Sequence, residues 1–288
     1  MKRITIAQKF NKLKTIFKKM DSVLVAYSGG VDSTLLIRVA KDTLKDNVLA
    51  ITAKSPTYPS NEERNAKDMA SRLGVKHKII TTHELSNPEF KCNPVNRCYY
   101  CKRELFSALA EIAKKNRLRF VVDGSNYDDR KDFRPGNRAK DELNVRSPLK
   151  EAGLTKRDIR TLSKKSGLPT WDKPSLACLA SRFPYGKHLT RKELDRVSKA
   201  EEFLQGLGFR QVRVRHYGDT VRIEVEGKKI SSCVVRRASI VKKMKKLGYT
   251  YVTLDLEGYR TGSMNEMIKK EISKEVDIAM YLPKGKKA

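Results

Sequence analysis

Histidine, tryptophan and long apolar runs are scarce in this sequence of 288 residues. It has four histidines and one tryptophan. A helix that crosses a bilayer needs about 18 consecutive apolar residues, and no apolar run in this sequence approaches that length. Hydrophobic residues nevertheless make up 39% of the chain, too many for a disordered protein. The basic stretch 1–20 lacks the uninterrupted apolar core of a secretory signal. We therefore expect a globular, cytoplasmic protein with no membrane partner.

Cysteine is also sparse, and its number is odd. Five cysteines without a secretory signal argue against a disulfide framework and favour a reducing compartment. Cys98 and Cys101 form a Cys-x-x-Cys pair, which in that setting is typical of a metal, cluster or redox site. Cys92 and Cys233 belong to no such motif, and we interpret them as structural.

Acidic residues are in the minority. The chain has 62 Lys and Arg against 33 Asp and Glu, a formal net charge of +29. Such a charge attracts polyanions and leaves a nucleic-acid partner possible in principle. However, the lysines are scattered and no strand with interleaved aromatic residues is evident. We regard a nucleic-acid partner as the weaker interpretation, and the charge does not decide the function.

Short apolar runs alternate with helical patterns through the first half of the chain, which indicates an α/β fold with a doubly wound parallel sheet. We predict strands over 22–27, 48–53, 76–81 and 119–123, and helices over 61–73, 104–116 and 155–166. A Pro-containing loop over 172–187 precedes helices over 190–207 and 234–247 and short strands. This predicts one domain over 1–186, with a short amphipathic N-terminal helix, and a smaller C-terminal α+β domain over 187–288.

The segment 28–33, with the sequence SGGVDS, lies between the first predicted strand and a helix. Gly29 and Gly30 let the backbone approach an anion, and a helix N-terminus supplies free N–H groups. Ser28 and Ser33 add hydroxyl donors, whereas the Lys-Ser/Thr pair of a Walker A loop is missing. The segment resembles the PP-loop of adenylating ATP pyrophosphatases.

That resemblance implies an enzyme that uses ATP, as its Mg²⁺ complex, to form an adenylate and release pyrophosphate. It assigns 28–33, including Asp32, to the phosphates, Lys54 to the vicinity of adenine, and Gly124 to the vicinity of the nucleotide. The residues that bind Mg²⁺ are not identifiable from it. Enzymes of this class differ in the nucleophile that displaces AMP, which is ammonia, an amide nitrogen or sulfur.

Three cysteines bear on that choice: Cys98 and Cys101 before the helix predicted over 104–116, and Cys178 in the Pro-flanked loop. Three thiolates suit a 4Fe–4S cluster with one iron left free, whereas a closed structural zinc site has four ligands. A structural zinc half-site or unrelated thiols remain the alternative for Cys98 and Cys101.

Over residues 5–270 the chain resembles the LarE-type pyridinium-3,5-biscarboxylic acid mononucleotide sulfurtransferases, which help to make the nickel-pincer cofactor of lactate racemase. The matching stretches are 28–33, 171–184 with Cys178, the pair Arg213 and Arg215, and 254–266. Some members sacrifice the sulfur of the cysteine that matches Cys178. Others have two further cysteines, which implies here a 4Fe–4S cluster held by Cys98, Cys101 and Cys178, reloaded by sulfide or a cysteine desulfurase system. The resemblance also implies a homo-oligomer.

The implied substrate is a mononucleotide with two carboxylates and a phosphate, so cationic partners are expected. The resemblance implies that it is bound by these residues: Ser181, Arg182, Arg213 and Arg215, with Glu201 holding a metal or phosphate partner. Arg213 and Arg215 are two apart on a predicted strand and share one face. Two alternatives stay open, a cluster-dependent tRNA thiolase and an amide-forming PP-loop ligase with a structural zinc.

Overall fold

A computed structural model describes residues 4–130, 135–174, 177–260 and 262–263. By its internal contacts the chain forms two compact units. The first unit contains Met1–Ser55, Pro59–Glu84 and Arg97–Leu176, and the second contains Pro56–Tyr58, Leu85–Asn96 and Ala177–Ala288. The domain boundary that we place after residue 186 stays a prediction.

Helices and strands alternate along the described residues. The helices are α1 (Ile6–Met20), α2 (Val31–Leu44), α3 (Ser60–Arg72), α4 (Pro88–Lys91), α5 (Arg97–Lys115), α6 (Gly136–Glu142), α7 (Pro148–Glu151), α8 (Lys156–Lys165), α9 (Arg191–Gly206), α10 (Ile230–Val235) and α11 (Arg237–Lys246). The strands are β1 (Val23–Ala26), β2 (Val48–Lys54), β3 (Lys76–Thr81), β4 (Phe120–Val122), β5 (Val212–Tyr217), β6 (Thr220–Val225) and β7 (Tyr251–Leu254). None of these helices has the length and apolar character of a membrane span.

The first unit is built on a parallel sheet with the strand order β3-β2-β1-β4. Successive side chains of β1 point to opposite faces of the sheet. Val23 and Val25 join a core that includes α1, α2 and α8, whereas Leu24 joins a second core that includes α5. Apolar cores thus cover both faces, as in a doubly wound sheet. This confirms the predicted α/β fold.

The N-terminal helix α1 begins with a capping box, in which the side chains and backbone of Thr5 and Gln8 bond reciprocally. Leu13, Phe17 and Met20 recur at helical spacing and are buried on the core that contains α2. The amphipathic pattern therefore produces a helix that packs on the sheet domain, as predicted.

The second unit contains a sheet with the order β5-β6-β7, in which β5 and β6 are antiparallel and β6 and β7 are parallel. The helix predicted over 234–247 is instead two helices, α10 and α11, which meet at Arg236. Arg236 ends α10 and is also the N-terminal cap of α11. The sequence contains no Gly or Pro at this point, so it lacks the residues that usually predict a helix break.

The structure corrects the predicted start of α5. The helix begins at Arg97 and not at 104, so Cys98 and Cys101 lie inside its first turns and not before it. Tyr99 explains the extension, because its ring is buried and its hydroxyl donates to Glu142 Oε2 at 2.9 Å. The burial of a tyrosine stabilises a turn that has little aliphatic content.

Candidate nucleotide and substrate sites

The segment 28–33 forms a tight loop between β1 and the start of α2. Its two serines face each other, with 3.1 Å between Ser28 Oγ and Ser33 Oγ, and the Ser28 hydroxyl accepts from Gly30 N at 3.4 Å. Gly30 is the N-cap of α2 and carries no side chain to cap the helix. The first N–H groups of α2 and its positive dipole end are therefore directed at this loop, as an anion site requires.

Two glycines make this geometry possible. Gly29 has φ +68°, and a Cβ there would lie 3.2 Å from Ala66 Cβ. Gly124, which follows β4, packs so closely on α2 that a Cβ would lie 3.1 Å from Ser33 N. The structure thus brings the two predicted nucleotide segments, 28–33 and the turn after β4, together at the carboxyl ends of adjacent parallel strands. Ligands of such sheets bind at this edge.

Asp32, in the first turn of α2, forms an ion pair with Lys156 of α8. Its second oxygen, Oδ1, is buried and has no hydrogen-bond partner among the described residues. Burial raises the pKa of Asp32 above its ordinary value despite Lys156, and the nearby Asp129 adds to the rise. A half-buried carboxylate whose second oxygen has no hydrogen-bond partner among the described residues, in the loop 28–33, is suited to a divalent cation.

Behind Gly124 lies a buried polar cluster. Asp123 accepts hydrogen bonds from the hydroxyls of Ser125 (2.7 Å) and Ser147 (2.6 Å), and the ammonium of buried Lys140 lies 3.4 Å from its carboxylate. Burial alone would raise the pKa of Asp123, but Lys140, Lys102 and these hydroxyls together lower it. Asp123 is therefore a buried anion that fixes the turn carrying Gly124.

Two lysines of the first unit differ in their contacts. Lys54, predicted to lie near adenine, is the last residue of β2, is exposed, and has its ammonium 3.4 Å from Glu63 Oε2. Lys173 was not predicted, yet its ammonium donates to the Gly29 carbonyl at 3.1 Å and to Glu62 Oε2 at 2.5 Å. Only tertiary structure reveals this contact, because Lys173 lies 144 residues from Gly29 in sequence.

Cys98 and Cys101, spaced by three residues, lie on one face of α5 near its N-terminus. Cys98 is exposed and Cys101 is half-buried. Within the described residues, no group of three or more His, Cys, Asp or Glu side chains is arranged to hold a metal ion. Of the two cysteines that we interpret as structural, Cys233 is buried and burial raises its pKa, whereas Cys92 is exposed.

In the second unit Cys178 immediately precedes a 3₁₀ helix over Leu179–Arg182. Arg182 has no solvent exposure and makes a bidentate pair with Glu201 of α9, with both N–O distances 2.8 Å. Its remaining donors contact the carbonyls of Ala177 and Cys178 and the Ser181 hydroxyl. Arg182 therefore ties the segment that carries Cys178 to α9.

Arg215, on β5, makes a matching bidentate pair with the fully buried Glu224 of β6, again at 2.8 Å. It also donates to the carbonyl of Ser181 at 2.8 Å and to the hydroxyl of Ser263 at 2.9 Å. The Arg215–Glu224 pair thus holds the C-terminal part of the 3₁₀ helix over Leu179–Arg182. Glu224 was not predicted, although the alternation in β6 places it on the face of its cross-strand partner Arg213.

Arg213 is the third buried arginine of this cluster. Its guanidinium stacks over Tyr259 at 5.1 Å and donates to the carbonyl of Val212. Burial, followed by repulsion from Arg182, lowers the pKa of Arg213, while Glu201 opposes the change. Three buried arginines thus lie close to one another in this unit, and such a cationic cluster favours an anionic ligand.

The structure therefore gathers Ser181, Arg182, Glu201, Arg213 and Arg215 around one segment of the second unit, and Ser28–Ser33 with Gly124 in the first. Parts of the predicted 254–266 stretch, Thr261 and Met264–Glu266, lie outside the described residues.

Comparison with known proteins identifies a matching family model and several similar proteins. Residues 5–123 match the family model described as NAD synthase. A Synechocystis protein of unassigned function is 43% identical over 92% of this chain and all of its own length. The pyridinium-3,5-bisthiocarboxylic acid mononucleotide synthase of Lactiplantibacillus plantarum is 39% identical over 92% of this chain and 97% of that protein. The argininosuccinate synthase of Pyrococcus furiosus is 26% identical over 52% of this chain and 40% of its own.

Proposed function

Because the chain belongs to the family of the pyridinium-3,5-bisthiocarboxylic acid mononucleotide synthase, we propose that it is an ATP-dependent sulfurtransferase acting on pyridinium-3,5-biscarboxylic acid mononucleotide. It is an ATP-dependent enzyme with a PP-loop fold. The proposed reaction activates a carboxylate as its acyl-adenylate and converts it to a thiocarboxylate. The product serves the synthesis of a nickel-pincer cofactor.

The observation that carries this proposal is the arginine cluster around Cys178. One short segment bears a cysteine, and its two ends are held by Arg182 and Arg215, each in a bidentate pair with a buried glutamate. The third arginine, Arg213, is also buried and lies close enough to Arg182 for the two charges to repel each other. A cysteine on a segment whose backbone is bound by buried arginines is suited to sulfur transfer to an anionic substrate, and ATP binding alone does not require it.

In the first step, the loop 28–33 and the α2 N-terminus bind the phosphates of ATP, with Lys54 placed for the base and Gly124 for the nucleotide. The carboxylate oxygen of the substrate attacks the α-phosphorus, the bond to the β-phosphate breaks, and pyrophosphate leaves. We propose Asp32 as a Mg²⁺ ligand because its Oδ1 is buried and unpartnered among the described residues, with Asp129 nearby. A Mg²⁺ ion held there would supply positive charge to stabilise the departing pyrophosphate.

We propose that the substrate's anionic groups are bound by Arg213 and Ser181, with Arg182, Arg215 and Glu201 shaping the same site. Arg213 is buried and its guanidinium stacks over Tyr259, whereas Arg182 and Arg215 are each oriented by a bidentate glutamate. In the second step, a sulfur nucleophile attacks the acyl carbon of the adenylate. The carbon–oxygen bond to AMP then breaks, and AMP leaves with both electrons of that bond.

Cys178 is proposed to act at this second step. The same proposal has Cys98, Cys101 and Cys178 as ligands of a 4Fe–4S cluster. The three thiols have the right donor chemistry. Among the described residues, no group of three or more His, Cys, Asp or Glu side chains is arranged to hold a metal ion. We assign no step of the reaction to the cluster. The sulfur donor and the homo-oligomer are likewise proposals.

The direct test is anaerobic incubation of the protein with ATP, Mg²⁺, sulfide and pyridinium-3,5-biscarboxylic acid mononucleotide. We expect AMP and pyrophosphate in equal amounts and a product in which sulfur replaces one oxygen, identified by mass spectrometry. AMP formation that does not depend on the mononucleotide, or a product with nitrogen in place of oxygen, would contradict the proposal.

The source of the sulfur is tested on the same samples. A cluster predicts iron and acid-labile sulfide in anaerobically reconstituted protein, both lost in Cys98→Ser and Cys101→Ser, with Cys178 intact after turnover. A sacrificial thiol predicts instead that Cys178 becomes dehydroalanine, with a mass loss confined to its peptide, and that both substitutions leave a single turnover unchanged. Cys92→Ser, at an exposed cysteine outside the motif, is the matched control.

A further inference from the structure

Lys173 contacts the phosphate-binding loop directly. Its ammonium donates to the carbonyl of Gly29 at 3.1 Å and to Glu62 Oε2, on α3, at 2.5 Å. Both side chains of the ion pair are largely buried, at 19% and 12% exposure. Within the described residues the ammonium donates to these two acceptors. An ammonium has three protons, so one proton is left for another acceptor.

The backbone around Lys173 is fixed independently of Glu62. Arg160 of α8 donates to the carbonyl of Trp171 at 2.8 Å and to the carbonyl of Lys173 at 2.9 Å. The Lys164 ammonium lies 4.6 Å from the centre of the Trp171 ring. The turn is thus held to α8 at two carbonyls, and the position of the Lys173 side chain does not depend on its ion pair alone.

We propose that Lys173 binds the pyrophosphate portion of ATP and stabilises the departing pyrophosphate, and that Glu62 neutralises it when the loop is empty. This inference rests on the proposed use of ATP. Pyrophosphate carries several negative charges, so it competes effectively with a single carboxylate for the ammonium. Negative charge grows on the β-phosphate as its bond to the α-phosphorus breaks. A cation already held at the Gly29 carbonyl meets this charge without rearrangement of the backbone.

The proposal predicts opposite effects of removing the two partners. Lys173→Met removes one charge-assisted contact, so we expect roughly 10- to 100-fold weaker binding of ATP and of inorganic pyrophosphate, with AMP binding unchanged. Glu62→Gln removes the competing carboxylate, and we expect tighter binding of inorganic pyrophosphate. Titration calorimetry with the Mg²⁺ complexes of ATP and pyrophosphate, and with AMP, measures all of these.

Lys165→Met is the matched control, because Lys165 is an exposed lysine of α8 and its loss changes the net charge equally. Equal weakening of AMP and pyrophosphate by Lys173→Met would show a structural role and overturn the proposal. Equal effects of Lys165→Met and Lys173→Met, or weaker pyrophosphate binding by Glu62→Gln, would also overturn it. If the variants differ from the wild-type protein in pyrophosphate binding as expected, but the wild-type protein makes no AMP with the mononucleotide, the proposed function fails and the role of Lys173 stands.

Discussion

The pairing of Arg182 with Glu201 predicts an asymmetric response to mutation. Glu201→Gln leaves Arg182 opposite a neutral amide, with Arg213 close enough to repel it. Arg182→Met leaves Glu201 with a nearby cation, Arg213, and with a hydrogen bond from Val214 N at 2.9 Å. Breaking a buried ion pair by removing one partner costs about 3–5 kcal/mol. We expect Glu201→Gln to reach this range and Arg182→Met to fall below it.

The double variant tests the cause. In Arg182→Met/Glu201→Gln, the repulsion between the two buried guanidinium groups is gone, so the double variant should be more stable than Glu201→Gln alone. Urea titration followed by circular dichroism gives the free energies of unfolding. Hydrogen exchange resolved onto α9 and β5 shows whether the loss lies in the second unit. A larger loss for Arg182→Met than for Glu201→Gln, or a double variant less stable than both single variants, would refute the electrostatic account.

Three further predictions concern single groups. Burial raises the pKa of Asp32, so its charge is disfavoured in the folded state; Asp32→Asn should leave the free energy of unfolding at neutral pH unchanged or higher while AMP formation falls about 100-fold or more. Gly29→Ala, at φ +68° and against Ala66, should cost about 1–2 kcal/mol in urea titration and weaken ATP binding. Burial lowers the pKa of His216 despite Glu193, so stability should fall as the pH drops below about 6.5, and His216→Gln should flatten that dependence.

The parallel sheet was predictable because β1, β2 and β4 are short, rich in β-branched residues and largely buried. Val48–Lys54 and Lys76–Thr81 match the predicted strands within one residue at each end. The conformation of the loop 28–33 was predictable for a local reason as well, since its glycines, serines and helix N-terminus are contiguous in sequence. Such local patterns predict the same local structure regardless of the tertiary contacts made by distant parts of the chain.

The extent of α5 and the break at Arg236 were not predictable by the same approach. The first turns of α5 contain two tyrosines and two cysteines and therefore lack the aliphatic stripe that marks a helix. Tyr99 reaches its partner Glu142 across 43 residues. A helix stabilised by a distant partner leaves no periodic signal in its own sequence, which is why tertiary contacts decide such boundaries.

The candidate site shows the same division at the level of single residues. Arg213 and Arg215 were identified as anion-binding candidates, but the sequence does not indicate that Arg215 forms a bidentate ion pair with Glu224. Once pairing is known, the three arginines no longer have equivalent roles. Arg182 and Arg215 have bidentate glutamate partners that orient them, whereas Arg213 stacks on an aromatic ring and donates to a carbonyl.

The two units therefore favour anions by different physical means. In the first, neutral backbone N–H groups of α2 act with a lysine whose charge is cancelled by Glu62 until phosphate arrives. In the second, the charge of Arg213 is permanent, because a guanidinium stays protonated at every accessible pH even when burial lowers its pKa. It follows that inorganic pyrophosphate and the mononucleotide should respond differently to Glu62→Gln. Affinity should rise for pyrophosphate and stay constant for the mononucleotide, because the residues proposed to bind the mononucleotide belong to the second unit and do not include Glu62.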